Sequence, residues 1–184
     1  MEGGIMKIDK EIISKTLRDY FFITGTFDID SKYFKKRIEE GVQNSSLNYR
    51  TNVRGQLTEW QFFNSDEQFK GLLLQLIDYL ESLNVELEGF HLEDAWGLIE
   101  KFGDYTRKHN HGSSYLSGVI YLNDHYQKLY FPTLKQEIIP KKGKFVLFSS
   151  FLTHYTKRNH EHKDKYAISF NLNITNVGSN KLSG

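Results

Sequence analysis

The sequence predicts a mostly β domain in which helices come first and strands follow. Up to Asn84, apolar side chains recur at helical spacing; beyond it, short apolar segments are set between turn residues. Many short strands with few helices are typical of a sandwich, a jelly roll or a barrel, with the helices bracing one face. The 184 residues are expected to form one domain with an N-terminal strand and supporting helices (1–84), a β core (85–175) and a tail (176–184).

The N-terminal part is predicted to contain one strand and two helices. The aromatic and β-branched segment 19–27 is typical of a strand. Asp30, or the residue after it, can cap the first helix, and a polar loop follows that helix. The second helix, about 66–83, is expected to begin with a capping box formed by Ser65 and Gln68. The apolar faces consist of Phe34, Ile38 and Val42 in the first helix, and Phe69, Leu72, Leu73, Leu76, Ile77 and Leu80 in the second.

The C-terminal part is predicted to contain short strands only. Each is a run of apolar and β-branched residues bounded by turn residues. Pro132 and Pro140 both fall where a strand should begin or end. The predicted strands are 85–101, 115–122, 128–131, 144–149 and 166–174.

Composition excludes several classes of site. The chain has no cysteine, so disulfides, thiolate zinc sites and a cysteine nucleophile are excluded, and any metal ligand must be His, Asp or Glu. Lys plus Arg number 24 against 23 Asp plus Glu, which argues against nucleic acid and against acidic membranes as partners. No apolar run approaches the length of a membrane span, and no signal peptide is evident. We therefore expect a soluble, cytoplasmic protein.

Three of the seven histidines have a spacing that suits a metal site. His109 and His111 lie two residues apart, so in extended backbone both imidazoles project to the same face. His154 follows the strand 144–149 after a short turn. Two nearby ligands and one distant ligand are a common way to build an open site for a divalent metal. His160 and His162 show the same spacing within a charged run, so the spacing alone also fits exposed polar residues.

A series of motifs between residues 95 and 171 resembles the 2-oxoglutarate-Fe(II) oxygenase superfamily, especially a small branch common in phage and bacterial genomes. Order and spacing agree over about 75 residues, and the segment 51–60 resembles the N-terminal part of the same branch. The strand that ends in Phe131-Pro132 resembles that of prolyl 4-hydroxylases with its glycines missing. The motifs are Trp96 with Gly103-Asp104, His109-Asn-His111, Ser117-Gly-Val-Ile-Tyr-Leu122, Leu129-Tyr-Phe-Pro132, Ile139 to His154, and Lys165 to Asn171.

The resemblance implies a double-stranded β-helix (a cupin-like jelly roll) that binds Fe(II) and uses 2-oxoglutarate as co-substrate. The first and distal motif histidines of the family correspond to His109 and His154. The third ligand of the family is usually an acidic residue at the position that His111 occupies here. We favour His111 as the third ligand, as in three-histidine cupin dioxygenases. The alternatives are a water molecule or a carboxylate such as Asp104 or Glu100.

The resemblance also implies a co-substrate pocket. The family's basic residue, which pairs with the far carboxylate of 2-oxoglutarate, corresponds to Lys165. Lys165 shares one face of its strand with Ala167, Ser169 and Asn171, whereas the other face is apolar, which fits a barrel with a polar interior. The strand that contains Tyr115, Ser117 and Tyr121 is expected to line the same pocket, with a tyrosine donating to a carboxylate.

The substrate is expected to be a small molecule or a peptide, and only the prolyl hydroxylase likeness suggests a peptidyl or free amino acid. Arg50, Asn52 and Arg54 are predicted to form part of the substrate rim. The expected outcome is hydroxylation of a C–H bond with release of succinate and carbon dioxide. Two rival functions remain open: a three-histidine dioxygenase that needs no 2-oxoglutarate, and a non-catalytic jelly-roll binding module. The sequence does not indicate an oligomeric state.

Overall fold

The computed structural model describes residues 5–14, 20–83 and 89–174; the predicted tail (176–184) lies outside them. Neither helix in this part of the chain is long and apolar enough to cross a bilayer. The helices are α1 (Ser31–Val42) and α2 (Glu67–Ser82). The strands are β1 (Met6–Ser14), β2 (Tyr20–Phe27), β3 (Val53–Arg54), β4 (Gln56–Leu57), β5 (Phe90–Glu100), β6 (Tyr105–Thr106), β7 (Leu116–Tyr121), β8 (Leu129–Phe131), β9 (Gln136–Ile138), β10 (Lys144–Ser149), β11 (Tyr155–Thr156) and β12 (Lys165–Ile174).

The two predicted helices are confirmed, with one correction at a cap. Asp30 caps α1, and its side chain accepts the backbone N–H groups of Lys32 and Tyr33. Helix α2 starts one residue later than the predicted capping box requires. Asp66, not Ser65, is its N-cap and accepts the backbone N–H of Phe69 at 3.0 Å. A carboxylate suits this position because the helix N-terminus carries partial positive charge.

Most predicted strands are confirmed, and the long N-terminal strand was missed. Strands β2, β7, β8, β10 and β12 lie within about one residue of the predicted bounds. Strand β5 begins at Phe90, and residues 84–88 of its predicted range lie outside the described residues. Strand β1 carries four charged residues, Lys7, Asp9, Lys10 and Glu11, and lies at the edge of a sheet, where it pairs with β2. Charged side chains are common on edge strands, where they weaken the local sequence signal for a strand.

Two antiparallel sheets face each other and form the jelly roll. The larger sheet has seven strands in the order β1-β2-β10-β7-β12-β5-β4, and the smaller one has the order β11-β8-β9. Phe131 on the smaller sheet packs against Phe22 and Phe148 of the larger one, with ring centroids 5.1 and 4.8 Å apart. A short pair, β3 with β6, lies outside both sheets. The predicted fold class is therefore confirmed.

The two faces of the larger sheet bury different environments, because successive side chains of a strand point to opposite faces. Ile23, Leu147 and Ile168 belong to a core cluster that includes the apolar faces of α1 and α2. Their strand neighbours Phe22 and Val146 belong to a second cluster, between the two sheets. The helices thus brace one face of the sheet, as predicted, and the opposite face is left to surround an interior cavity.

Gly118 shows how tightly the helix side of the sheet is packed. It lies directly opposite Phe170 in the register of β7 and β12, and an added Cβ would overlap the Phe170 ring. Gly118→Ala should therefore destabilise the protein by about 1–3 kcal/mol, measured by denaturant unfolding. Gly71→Ala is the matched control: Gly71 lies in α2 with nothing within 4 Å of an added Cβ, so the change should be neutral or stabilise by about 0.5–1 kcal/mol. Equal effects at the two sites would contradict this account of the packing.

Candidate metal centre and its pocket

The backbone brings the three predicted histidines to one point. His109 and His154 form an antiparallel bridge and exchange both backbone hydrogen bonds, at 3.1 and 2.9 Å. The backbone N–H of His111 donates to the carbonyl of Ser150 at 2.9 Å, so the segment 109–111 runs alongside the segment 150–154. Residues directly opposite each other project to the same face, and so do residues two apart. All three imidazoles consequently point to one side.

The three imidazoles have the geometry of a metal-ligand set. One ring nitrogen of each lies within 4.8 Å of the others, the only such cluster found among the described residues. Nδ1 of His109 contacts the carbonyl of Arg107 at 2.8 Å, and Nδ1 of His154 contacts the carbonyl of Leu152 at 2.9 Å. A carbonyl can only accept, so each Nδ1 carries the proton and each Nε2 keeps its lone pair for a ligand bond.

Burial keeps the imidazoles neutral. Desolvation, together with the smaller effect of the nearby His109, lowers the pKa of His154 to about 3 and the pKa of His111 to about 4. Desolvation also lowers the pKa of His109, against the opposing effect of its hydrogen bond to Arg107. Neutral imidazole is the form that binds a metal. The set is therefore ready for a divalent ion at neutral pH.

Neither carboxylate that the sequence offered as an alternative third ligand lies in the histidine cluster. Asp104 accepts the backbone N–H of Lys101 at 2.8 Å and the hydroxyl of Tyr49 at 3.4 Å. Glu100 is buried elsewhere in the same cavity. The second His-x-His pair is separate as well: His160 is exposed, and the exposed ring of His162 stacks on Phe102.

A small interior cavity of about 50 Å³ extends from the histidines into the space between the sheets. Lys165 lies on its wall with only 3% of the side chain exposed, and it forms an ion pair with Glu100, which is 1% exposed. The two residues are direct partners in the register of β12 and β5. Glu100 also accepts the hydroxyl groups of Thr106 at 3.0 Å and Thr156 at 3.2 Å. Both carboxylate oxygens of Glu100 are thus held.

The other predicted pocket residues divide into two groups. Ser117 and Tyr121 line the cavity, as do Ala167, Ser169 and Asn171 on the predicted inner face of β12. Tyr115 lies elsewhere: its ring packs 6.4 Å from those of Phe21 and Phe90, and it lines a separate surface depression. The alternation along β7 does not extend to Tyr115, because that residue precedes the strand at Leu116.

On the outer side of the histidines lies a wider cleft of about 520 Å³. The predicted rim residues Arg50, Asn52 and Arg54 line it together with His109 and His111. Sequence reasoning did not place several further lining residues in the cleft, of which Arg107 is the most readily found because it lies only two positions before His109. They include Trp60, Asp94, Trp96 and Arg107.

Trp96 connects the cleft with the cavity. Its side chain lines both, and its ring lies 5.0 Å from Trp60 and 6.4 Å from His111. The Trp96 indole Nε1 is buried and has no hydrogen-bond partner among the described residues. A buried donor without a partner costs free energy, so this N–H is available to a ligand.

Comparison with solved structures identifies the same fold in oxygenases. The viral collagen prolyl hydroxylase of Paramecium bursaria Chlorella virus-1, in complex with 2-oxoglutarate, has a TM-score of 0.67 at 19% identity, covering 83% of this chain and 94% of that one. A Pseudomonas putida prolyl-4-hydroxylase has a TM-score of 0.59 at 18% identity, covering 82% and 91%. HygX from Streptomyces hygroscopicus, with nickel and 2-oxoglutarate bound, has a TM-score of 0.61 at 14% identity, covering 84% and 83%.

No protein-family model matches the chain, and no curated protein does. At these identities the solved structures establish a shared fold alone. The chain therefore has the jelly-roll fold found in prolyl hydroxylases and in other enzymes that bind 2-oxoglutarate.

Proposed function

We propose that the protein is a non-haem Fe(II)- and 2-oxoglutarate-dependent dioxygenase that hydroxylates a C–H bond of its substrate. The observation that carries this proposal is the convergence of three neutral imidazoles, one buried and two half-buried, on the wall of a cavity that also contains a buried lysine. The shared fold with enzymes solved in complex with 2-oxoglutarate supports it. With Fe(II) and 2-oxoglutarate bound, the site would couple dioxygen reduction and oxidative decarboxylation, giving succinate and carbon dioxide, to hydroxylation of the substrate.

The residues present fit a divalent iron ion. His109, His111 and His154 would hold it on one face, because their ligand nitrogens converge and two of them have a fixed tautomer. Three protein ligands would leave other coordination positions of the ion for a co-substrate and for dioxygen. The rings of Phe131 and Phe148 pack on His154, which orients that ligand and limits the access of water.

The inner cavity is the proposed co-substrate site. Lys165 would hold the far carboxylate of 2-oxoglutarate as a point charge, assisted by hydroxyl donors on β7, Ser117 and Tyr121. Burial and the charge of Glu100 raise the pKa of Tyr121, so its hydroxyl remains a donor. The Ser117 hydroxyl donates to Asn171 at 2.8 Å, so it would have to turn from Asn171 to donate to the co-substrate.

The outer cleft is the proposed substrate site, because His109 and His111 line it as well as the cavity. Arg50 and Arg54 would hold an anionic group such as a carboxylate, and Asn52 would add a hydrogen bond. The aromatic rings of Trp60 and Trp96 would pack on the apolar part of the substrate. A peptidyl or free amino acid fits this combination of groups.

Two rival functions make different predictions. A three-histidine dioxygenase independent of 2-oxoglutarate would bind iron but release no succinate. A non-catalytic binding module, in which the histidines are incidental, would bind no iron. Metal content followed by a succinate-release assay therefore separates the three functions.

The first prediction concerns the metal. Purified without chelator, the protein should bind about one divalent ion per chain, and His154→Ala should abolish binding because it removes a buried ligand. The protein should keep its metal at about pH 5, where exposed histidines are protonated, because burial lowers the pKa of His111 and of His154. Metal analysis measures both effects. Equal metal content in His154→Ala and in the control His160→Ala/His162→Ala would contradict the assignment.

The second prediction concerns the third ligand. Three neutral imidazoles leave an Fe(II) centre with charge +2, whereas an acidic ligand would leave it with +1, and the higher charge tightens the binding of anionic ligands. His111→Asp should still bind iron and release some succinate, because a carboxylate would occupy the same backbone position. His111→Ala should lose most of its iron and most of its succinate release. Iron content and succinate release are measured on the parent and both variants; full iron and activity in His111→Ala would exclude His111 as a ligand.

The third prediction concerns the substrate cleft. Both tryptophans of the chain line the cleft, so tryptophan fluorescence, excited selectively, reports on this site. Titration of the Ni(II)-loaded protein with free amino acids and short peptides should change the emission when a ligand enters. Arg50→Ala should weaken that ligand by about tenfold through loss of a charged hydrogen bond, whereas Lys36→Ala, on the exposed face of α1, should not. A compound that stimulates succinate release without changing the emission would place the substrate elsewhere.

A further inference from the structure

The anchor of the proposed co-substrate site already has an internal partner. Lys165 and Glu100 lie opposite each other on adjacent strands, both almost fully buried, and form an ion pair. An ion pair in this environment is costly to break from one side, because the remaining charge stays buried without compensation.

Glu100 is also held from the other side. The hydroxyl groups of Thr106 and Thr156 donate to its second oxygen. Thr156 is itself fixed by the backbone N–H of Thr106 at 2.7 Å. The carboxylate therefore has donors on both oxygens, and it is almost completely shielded from solvent. Glu100 is a resident group of the cavity and remains beside Lys165.

A dicarboxylic 2-oxo acid would bring a second carboxylate to the same ammonium group. Two carboxylates beside one lysine leave an excess negative charge in a buried site, where like charges oppose each other more strongly than in water. A 2-oxo acid with an uncharged tail avoids this repulsion. Resting on the proposed function, we propose that Glu100 determines the co-substrate specificity: it competes with the far carboxylate of 2-oxoglutarate for Lys165.

Competition between the two carboxylates for Lys165 predicts the relative affinities of the site for two matched 2-oxo acids. 2-Oxopentanoate has the carbon chain of 2-oxoglutarate without the far carboxylate. The parent protein should bind the two acids with similar affinity, because Glu100 cancels the attraction of Lys165 for a second carboxylate. Glu100→Gln keeps the size of the side chain and an acceptor for both threonines, but removes the competing charge.

The test is calorimetric binding of both acids to the Ni(II)-loaded protein, which requires no turnover. Glu100→Gln should bind 2-oxoglutarate about tenfold more tightly or better, since a like charge beside a buried anion is removed. Binding of 2-oxopentanoate should change little. The double variant Glu100→Gln/Lys165→Met should lose the gain, which would show that it depends on Lys165. If Glu100→Gln does not fold, Glu100→Asp, which withdraws the carboxylate by one methylene, should give a smaller gain in the same direction.

Two results would overturn the proposal, and they are distinguishable. If the parent binds 2-oxoglutarate and Glu100→Gln binds it equally or more weakly, Glu100 does not compete, although the 2-oxo acid site stands. If the metal-loaded parent and its variants bind neither acid, the proposed co-substrate site is absent, and the specificity proposal fails with it.

Discussion

The two faces of the large sheet bury different kinds of side chain, and this difference organises both the core and the cavity. Because side chains alternate along each strand, every strand must supply one set to the helices and another to the cavity. The helix side is filled with aliphatic and aromatic side chains and has no room even for a Cβ at Gly118. Polar residues of β12 such as Lys165 and Asn171 are therefore buried on the opposite side, where Glu100 pairs with Lys165 and Ser117 donates to Asn171.

The second constraint is backbone pairing close to the site. The histidines lie outside the long strands. The antiparallel bridge between His109 and His154, with its two backbone hydrogen bonds, positions both residues. Carbonyl groups of the same segments fix the tautomers of His109 and His154. The ligand set is therefore organised by the protein alone, which lowers the entropic cost of binding a metal.

The charged residues of this cavity differ from those of the family that the sequence resembles. The cluster of three histidines contains no acidic residue, and a carboxylate, Glu100, is paired with Lys165 in the same cavity. Three neutral imidazoles and one ion pair make the site neutral in the absence of ligands. Under the proposed function, a divalent metal and a dianionic co-substrate would preserve that neutrality, although the local repulsion near Lys165 would remain.

Local spacing in the sequence was enough to predict several features. Helical periodicity and the Asp30 cap predicted α1, and strand alternation predicted that Lys165 and Asn171 face the interior. The resemblance of the motifs predicted which histidines would meet. Only the tertiary structure decided that Glu100 lies opposite Lys165, that Tyr115 packs outside the cavity, and that Trp96 and Arg107 line the cleft. These placements depend on strand register and on the path of loops, which are set by pairings between residues distant in the chain. Local sequence patterns do not predict such pairings.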